Sequence, residues 1–211
     1  MATNPKRLVA AAYDSIADAY FERFGLSSVR QKWLYRLMDT LPYRDGRVLD
    51  LGCGSGIPVA RELTSAGHSV LGVDGSGQQI VRARRSVPGA KFIQADMSKV
   101  QFDAGCFDAV GAFYSITHVP AAEQGPLFMK IAEWLKPGGT FVGSLGTGLG
   151  GDWIGDWMGT TMFFSHNSEV TSLALLHEAG LTVQQSEVER QDNEDAEFLW
   201  VLAVKAPILS A

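Results

Sequence analysis

Residues 48–74 read VLDLGCGSGIPVARELTSAGHSVLGVD: an apolar run, glycines at 52, 54 and 56, an amphipathic stretch, and a second apolar run closed by Asp74. Strand, turn, helix and strand in that order make a βαβ unit, whose parallel strands are buried on both faces and so read as apolar without alternation. Pro58 near the start of the amphipathic stretch and Gly67 just past its end are helix-starting and helix-stopping residues. In an open parallel sheet, ligands sit beyond the carboxyl ends of the strands, which is where Gly52, Gly54 and Gly56 fall. Glycine permits close approach and left-handed backbone at an entropic cost, so this cluster implies a ligand lying against the main chain. A glycine turn that only lets strand and helix pack closely would show the same spacing.

The alternation continues outward. Tyr13, Ile16, Tyr20 and Phe24 recur at helical spacing, as do Trp33, Leu34, Leu37 and Leu41 before Pro42, so two helices precede the first strand. After Asp74 the pattern predicts a helix over 76–86, strands at 91–95 and 107–113, a helix over 121–135 closed by KPGG, and a strand over 140–146. A helix over 168–179 ends at Gly180, and strands at 182–189 and 198–205 follow with a short connection that suggests a hairpin. Strands alternating with helices make an α/β fold with a parallel sheet covered on both faces.

Composition narrows the class. The 211 residues suit a single domain over 1–211, and no repeat or linker interrupts them. Eighteen basic against 23 acidic residues leave a net charge of −5, and the densest basic run, Arg82, Arg84 and Arg85, is a helical face, which argues against nucleic acid. No apolar stretch is long enough to span a bilayer, and the start lacks a sustained hydrophobic segment before a cleavage site, so a cytoplasmic protein without membrane association is expected. Cys53 and Cys106 fit a reducing compartment and no metal-ligand spacing, so no metal is expected.

Asp74 indicates the kind of ligand. A carboxylate ending the second strand can accept hydrogen bonds from both hydroxyls of an adenosine ribose. The glycine pattern is G-x-G-x-G preceded by Asp50, not the G-x-G-x-x-G of dinucleotide folds. A carboxylate in that loop repels a pyrophosphate but suits a cofactor with an ammonium and a sulfonium. A nicotinamide-dependent oxidoreductase is therefore the weaker alternative.

These residues resemble the class I S-adenosylmethionine-dependent methyltransferases, small-molecule type, from about Arg47 to Gly139. VLDLGCGSG is similar to that family's first motif, VLGVDGS to its ribose-binding acid, FIQADMS to its adenine-contacting strand end, and FDAVGAFYSITHV with WLKPGG to its fourth and fifth strands. The resemblance implies a Rossmann-like seven-stranded sheet of order 3-2-1-4-5-7-6 with the seventh strand antiparallel and helices on both faces. It also implies S-adenosyl-L-methionine as cofactor, with Gly52, Cys53 and Gly54 against the methionine part, Asp74 on the ribose, and Asp50, Gly56, Gly75, Ser76 and Ser98 among the further cofactor-binding residues. Asp96 with Met97 falls at the adenine, and Phe113 at the methionyl side through its backbone. Cys53 reads as a small packing residue, not a nucleophile. Tyr13 and Tyr20 resemble the Y-D-x-x-A-x-x-Y pattern that covers the cofactor, and core packing is their other reading; Asp14 and Asp18 read as solvated helix positions.

Methyl transfer is an in-line displacement, so alignment and water exclusion are the main requirements. Residues 1–42 read as an N-terminal helical cap, and 146–166, with six glycines among large apolar side chains, as a substrate lid. Tyr114, Trp153, Trp157 and Met162 are the expected substrate contacts; Trp153 and Trp157 are four apart and could instead face inward on a short helix. His118, after the fourth strand, and His166, closing the lid, are the candidate general bases, whereas His68 and His177 fall away from the cleft. A structural role competes for both candidates. The function expected is methyl transfer to oxygen or nitrogen of a small molecule by a monomer or homodimer, and a non-catalytic S-adenosylmethionine-binding protein is the other alternative.

Overall fold

The computed structural model describes residues 4–192 and 194–206. Helices α1 (Pro5–Phe24) and α2 (Ser28–Asp39) come first, then β1 (Arg47–Leu51), α3 (Val59–Ser65), β2 (Ser69–Asp74), α4 (Gly77–Ser86) and β3 (Lys91–Gln94). There follow β4 (Phe107–Ala112), a single 3-10 turn at Ile116–His118, α5 (Ala121–Trp134) and β5 (Leu135–Gly146). The chain ends with β6 (Gly151–Trp157), β7 (Thr160–His166), α6 (Glu169–Glu178), β8 (Leu181–Arg190) and β9 (Glu197–Lys205).

Seven strands form one sheet in the order β3-β2-β1-β4-β5-β9-β8. Strands β1 to β5 run parallel, and β9 is antiparallel to both neighbours. This is the predicted order 3-2-1-4-5-7-6, counted through an extra hairpin that pairs β6 with β7 outside the large sheet. Alternate residues of each strand feed a core on each face. Val48 joins Trp33, Leu34 and Leu37 of α2 and Leu63 of α3 on one face. Leu49 and Leu51 join Phe128 and Ile131 of α5 and Leu176 of α6 on the other.

Helix starts follow the sequence chemistry. Ser27, Ser76 and Ser168 each accept a hydrogen bond from the third amide of the helix they cap, meeting a donor the helix cannot satisfy itself.

The largest departures from the sequence reading come in two glycine-rich stretches. KPGG does not close α5; strand β5 already begins at Leu135, opposite Phe107, and the pairing slips so that Ala109 faces Thr140. Residues 136–139 bulge out between these pairs, and Gly139 is tight against Lys136 O and Asp108 O, where a side chain would clash. In 146–166, Trp153 and Trp157 lie on a strand, not on a short helix. The hairpin turns at Met158 (φ 54°) and Gly159 (φ 77°), with Trp157 paired to Thr160, the two-residue turn with both central residues left-handed that matches strand twist.

Trp33 anchors α2. Its fully buried ring stacks on Trp200 of β9 at 5.7 Å, its Nε1 donates to Glu189 Oε1 at 3.0 Å, and the Arg36 guanidinium lies over the ring at 4.2 Å from its centroid. Trp33→Ala removes this packing and strands the Glu189 contact, so chemical denaturation should show a loss of about 3–5 kcal/mol, with Trp33→Phe losing clearly less.

Candidate active site

A cavity of about 430 Å³ opens at the carboxyl ends of β1, β2, β3 and β4, with the first half of α1 as its outer wall. That volume lies in the range of small-molecule sites.

Its floor is built around Asp74. One carboxylate oxygen accepts from the Gly54 amide at 2.9 Å and the other from the Ser76 amide at 2.9 Å. Burial pushes this carboxyl up, and the Ser76 and Gly54 amides pull it back. Each oxygen keeps a further lone pair for a ligand hydroxyl.

The three glycines of the opening motif, all with positive φ, are required for three different reasons. At Gly52 a side chain would collide with Ser115, whose Cβ stands 2.2 Å from where it would begin. At Gly56 it would press on Val87 and Phe92 at 3.2 Å. Only at Gly54 is there nothing within 4 Å, in a residue that lines the cavity. The sequence reading gave all three to the ligand; the structure leaves open space at one.

Tyr13, Tyr20, Gly52, Gly54, Asp74, Gly75, Ser76, Asp96, Met97, Phe113, Tyr114 and His118 all line the cavity. Asp50 and Cys53 lie behind the glycine loop, in a recess of about 50 Å³ that shares Tyr20, Gly52, Gly54 and Phe113 with the cavity. Asp50 is 2% exposed and its Oδ2 has no partner; burial pushes its carboxyl up to about 7, Asp74 adding to the shift and Arg30 opposing it. Cys53 is buried, its thiol pushed well up by burial, with Sγ 3.7 Å from Gly54 O.

Other expected contacts lie elsewhere. Gly56 is behind the motif, against Val87 and Phe92. Ser98 does not line the cavity; its amide and hydroxyl donate to Asp96 Oδ1 at 3.0 and 2.8 Å and so hold that carboxylate in place. Trp153 is half-exposed, its ring folded over Gly155. Trp157 stacks on Phe24 at 5.9 Å and donates to Glu194 Oε1 at 2.9 Å. Met162 is fully buried with Val9, Ala12 and Ile16 of α1. Trp157 and Met162 brace the outer wall, Trp153 packs on its own hairpin, and none of the three lines the cavity. His166 is also outside it, at the far end of β7 opposite Gly151 and packed against Gly146, because the hairpin carries the two ends of β7 apart.

His118 faces the cavity and ties together three elements. Its Nδ1 lies 2.8 Å from the Phe163 carbonyl of β7, which can only accept, so the proton sits on Nδ1. Nε2 is therefore free to accept from the Tyr13 hydroxyl of α1 at 2.9 Å. Burial lowers the imidazole to about 4, against the Phe163 bond, and raises the Tyr13 hydroxyl well above its ordinary value.

Sequence reading missed the fastening of α1. Lys6 forms ion pairs with Asp96, at 2.9 Å, and with Glu123. Asp14, read as solvated, accepts from the Ser76 hydroxyl and, at 3.0 Å, from the Gln78 amide, and Asp18 pairs with Arg82 at 2.8 Å. Partners so distant in sequence leave no local signal.

Residues 48–139 match a family model described as a methyltransferase domain. That stretch, a little under half of the chain, is similar to methyltransferase domains. Over 140 residues it is 31% identical to a demethylmenaquinone methyltransferase of Clavibacter sepedonicus, covering 64% of this chain and 56% of that protein. Over 157 residues it is 32% identical to a sterol 24-C-methyltransferase of Schizosaccharomyces pombe, covering 64% and 41%. The chain thus spans about half the length of these relatives. In fold, the chain is similar to the crystal structure of Burkholderia thailandensis 1,6-didemethyltoxoflavin-N1-methyltransferase with bound 1,6-didemethyltoxoflavin and S-adenosylhomocysteine. The TM-score is 0.72 at 20% identity, over 93% of this chain and 84% of that one. Among the described residues, no helix is long and apolar enough to cross a membrane and no group of three or more ligating side chains could hold a metal.

The buried imidazole carries a pH signature. The unfolded chain protonates His118 near 6.5 while the folded chain resists until about 4, so its contribution to stability is full above pH 6.5 and is lost as pH falls toward 4. Relative to His118→Gln, the wild type should lose roughly 3 kcal/mol between pH 7 and pH 4 in urea titrations.

Proposed function

We propose that the protein transfers a methyl group from S-adenosylmethionine to an oxygen or nitrogen of a small-molecule acceptor. The observation that carries this reading is the cavity floor, where Asp74 holds the Gly54 amide beside open space and keeps lone pairs for two ribose hydroxyls. The residues present fit the cofactor. Gly54 leaves room where a side chain would stand, Asp50 offers a buried carboxylate oxygen without a partner, and Met97 with Ala95 gives an apolar shelf beyond β3 for a base.

When bound, the cofactor supplies a methyl group made electrophilic by its sulfonium. The chain aligns and dries the site. Tyr13 and Tyr20 of α1, backed by Phe24, Trp157 and Phe164, form an aromatic wall that keeps water from the methyl end. In this reading residues 1–42 and 146–166 together cover the site.

The Tyr13–His118 pair is the polar feature of that wall. An oxygen that has just taken a methyl group is a very strong acid, and an imidazole with a pKa of about 4 suffices to receive its proton through the Tyr13 hydroxyl. The same imidazole is a weak base for removing a proton from an alcohol or ammonium before attack. His118 therefore acts chiefly by holding Tyr13. The named relatives act on different acceptors, one a sterol at position 24-C and one at an N1, so the acceptor of this chain is set by its own wall.

A cofactor carrying a labelled methyl group, incubated with pools of small metabolites, should deliver label to one acceptor, located by mass. Binding without turnover across the pools would favour the non-catalytic alternative. Asp74→Asn should weaken S-adenosylhomocysteine binding at least about tenfold by calorimetry, and unchanged affinity would refute the ribose assignment.

A further inference from the structure

The end of the cavity beyond β4 is aromatic, and no side chain there is free to take a proton directly. Tyr13, Tyr20, Phe113 and Tyr114 line it with His118 and Val119. The carboxylates among the described lining residues are Asp74 and Asp96, which stand at the β2 and β3 ends and are held there by donors of the chain itself. Both nitrogens of the buried His118 ring are engaged, Nδ1 with the Phe163 carbonyl at 2.8 Å and Nε2 with the Tyr13 hydroxyl at 2.9 Å, so the ring keeps no lone pair for a ligand. Tyr13 has committed its proton to that bond, and its oxygen can only accept. Burial raises the Tyr20 hydroxyl and takes that of Tyr114 to about 12, so neither ionises near neutral pH.

This arrangement restricts the order of events at the acceptor. A proton on the reacting atom has one way out, to the Tyr13 oxygen, with the Tyr13 proton moving on to His118 Nε2. The relay ends in a buried imidazolium, which is costly, so it runs only once the donor has become a strong acid, and that is after the methyl group has arrived. The acceptor must therefore attack with its proton still attached. A neutral hydroxyl is a poor nucleophile in that state, an alkylamine enters as an ammonium without a lone pair, and a carboxylate or thiolate has no hydrogen to offer Tyr13. An amino nitrogen on an aromatic ring has both a lone pair and an N–H at neutral pH.

We propose that the acceptor is an arylamine, a flat ring lying among these aromatic side chains with its N–H directed to the Tyr13 oxygen. This assignment rests on reading the protein as a small-molecule methyltransferase and names the class of molecule it methylates. The nitrogen lone pair forms the N–C bond while the C–S bond breaks and its electron pair goes to sulfur, leaving a neutral thioether. The nitrogen, now positive, gives its proton to Tyr13, and Tyr13 gives its own to His118. An arylammonium is an acid of about carboxylic strength, matched to an imidazole held at about 4. The N–H bond to Tyr13 strengthens as positive charge grows on nitrogen, so it favours the transition state over the bound acceptor.

The test gives the intact protein a cofactor with a labelled methyl group and three pools of aromatic compounds at equal concentration: arylamines, then phenols with carboxylic acids, then compounds bearing alkylamine or alcohol side chains. Label should enter the arylamine pool at least about 100-fold faster than the others. Faster labelling of either other pool overturns the proposal and leaves the methyl-transfer reading standing, whereas label in no pool overturns that reading itself. On the labelled arylamine, Tyr13→Phe keeps the ring but loses the oxygen, and should lower kcat about 10- to 100-fold with KM within about threefold. S-adenosylhomocysteine affinity of that variant should stay within about twofold, which also shows that it folds. An unchanged kcat, or a loss that appears in S-adenosylhomocysteine binding and not in kcat, reduces Tyr13 to a cover and overturns the proposal.

Discussion

The carboxylate of Asp74, buried between two peptide amides, fixes the geometry on which the site depends. By accepting from Gly54 it pins the loop after β1, and by accepting from Ser76 it pins the entry to α4. The Ser76 hydroxyl passes the constraint on to Asp14 of α1. One buried acid therefore sets the spacing between the floor of the cavity and the helix that closes it. Desolvation opposes this and leaves the carboxyl raised, and the amides offset part of that cost because hydrogen bonds to the charged form are stronger than those between neutral groups.

The outer wall has a different physical character. Helix α1 meets β7 through Val9, Ala12, Ile16, Met162 and Phe163, contacts that are apolar and without fixed direction. Direction comes from a few polar ties: Lys6 to Asp96, Asp18 to Arg82, and Tyr13 through His118 to the Phe163 carbonyl. The last joins α1, the turn after β4 and the hairpin in one chain of bonds, with the imidazole buried and the Tyr13 ring on the cavity wall. Polar bonds of this sort are strengthened by the low dielectric around them.

The sheet was readable from sequence because its signal is local. VLDL and SVLGV are apolar runs bounded by punctuating glycines and prolines, and the order of helices and strands implied the crossovers. Asp74 was readable for the same reason, as the acid ending the second strand. What escaped reading depends on residues far apart. Nothing in the motif reveals that Ser115 occupies the space beside Gly52, or that Lys6 reaches Asp96. Trp153 and Trp157, four apart, fit a helix and a strand equally well, and the turn at Met158 and Gly159 lacks the usual Asn-Gly signature. His166 was mistaken for a cavity residue because its distance along the hairpin could not be seen.

The hairpin is a two-stranded ribbon whose β6 pairs only with β7 among the described residues, leaving its far edge open. An open edge carrying Trp153 and Ile154 invites another chain to add a strand. Asp152 and Asp156, exposed on that strand, counter this: a second copy laid alongside would bring like charges together. Charged side chains on an open edge are one of the devices by which a strand disfavours pairing with another chain.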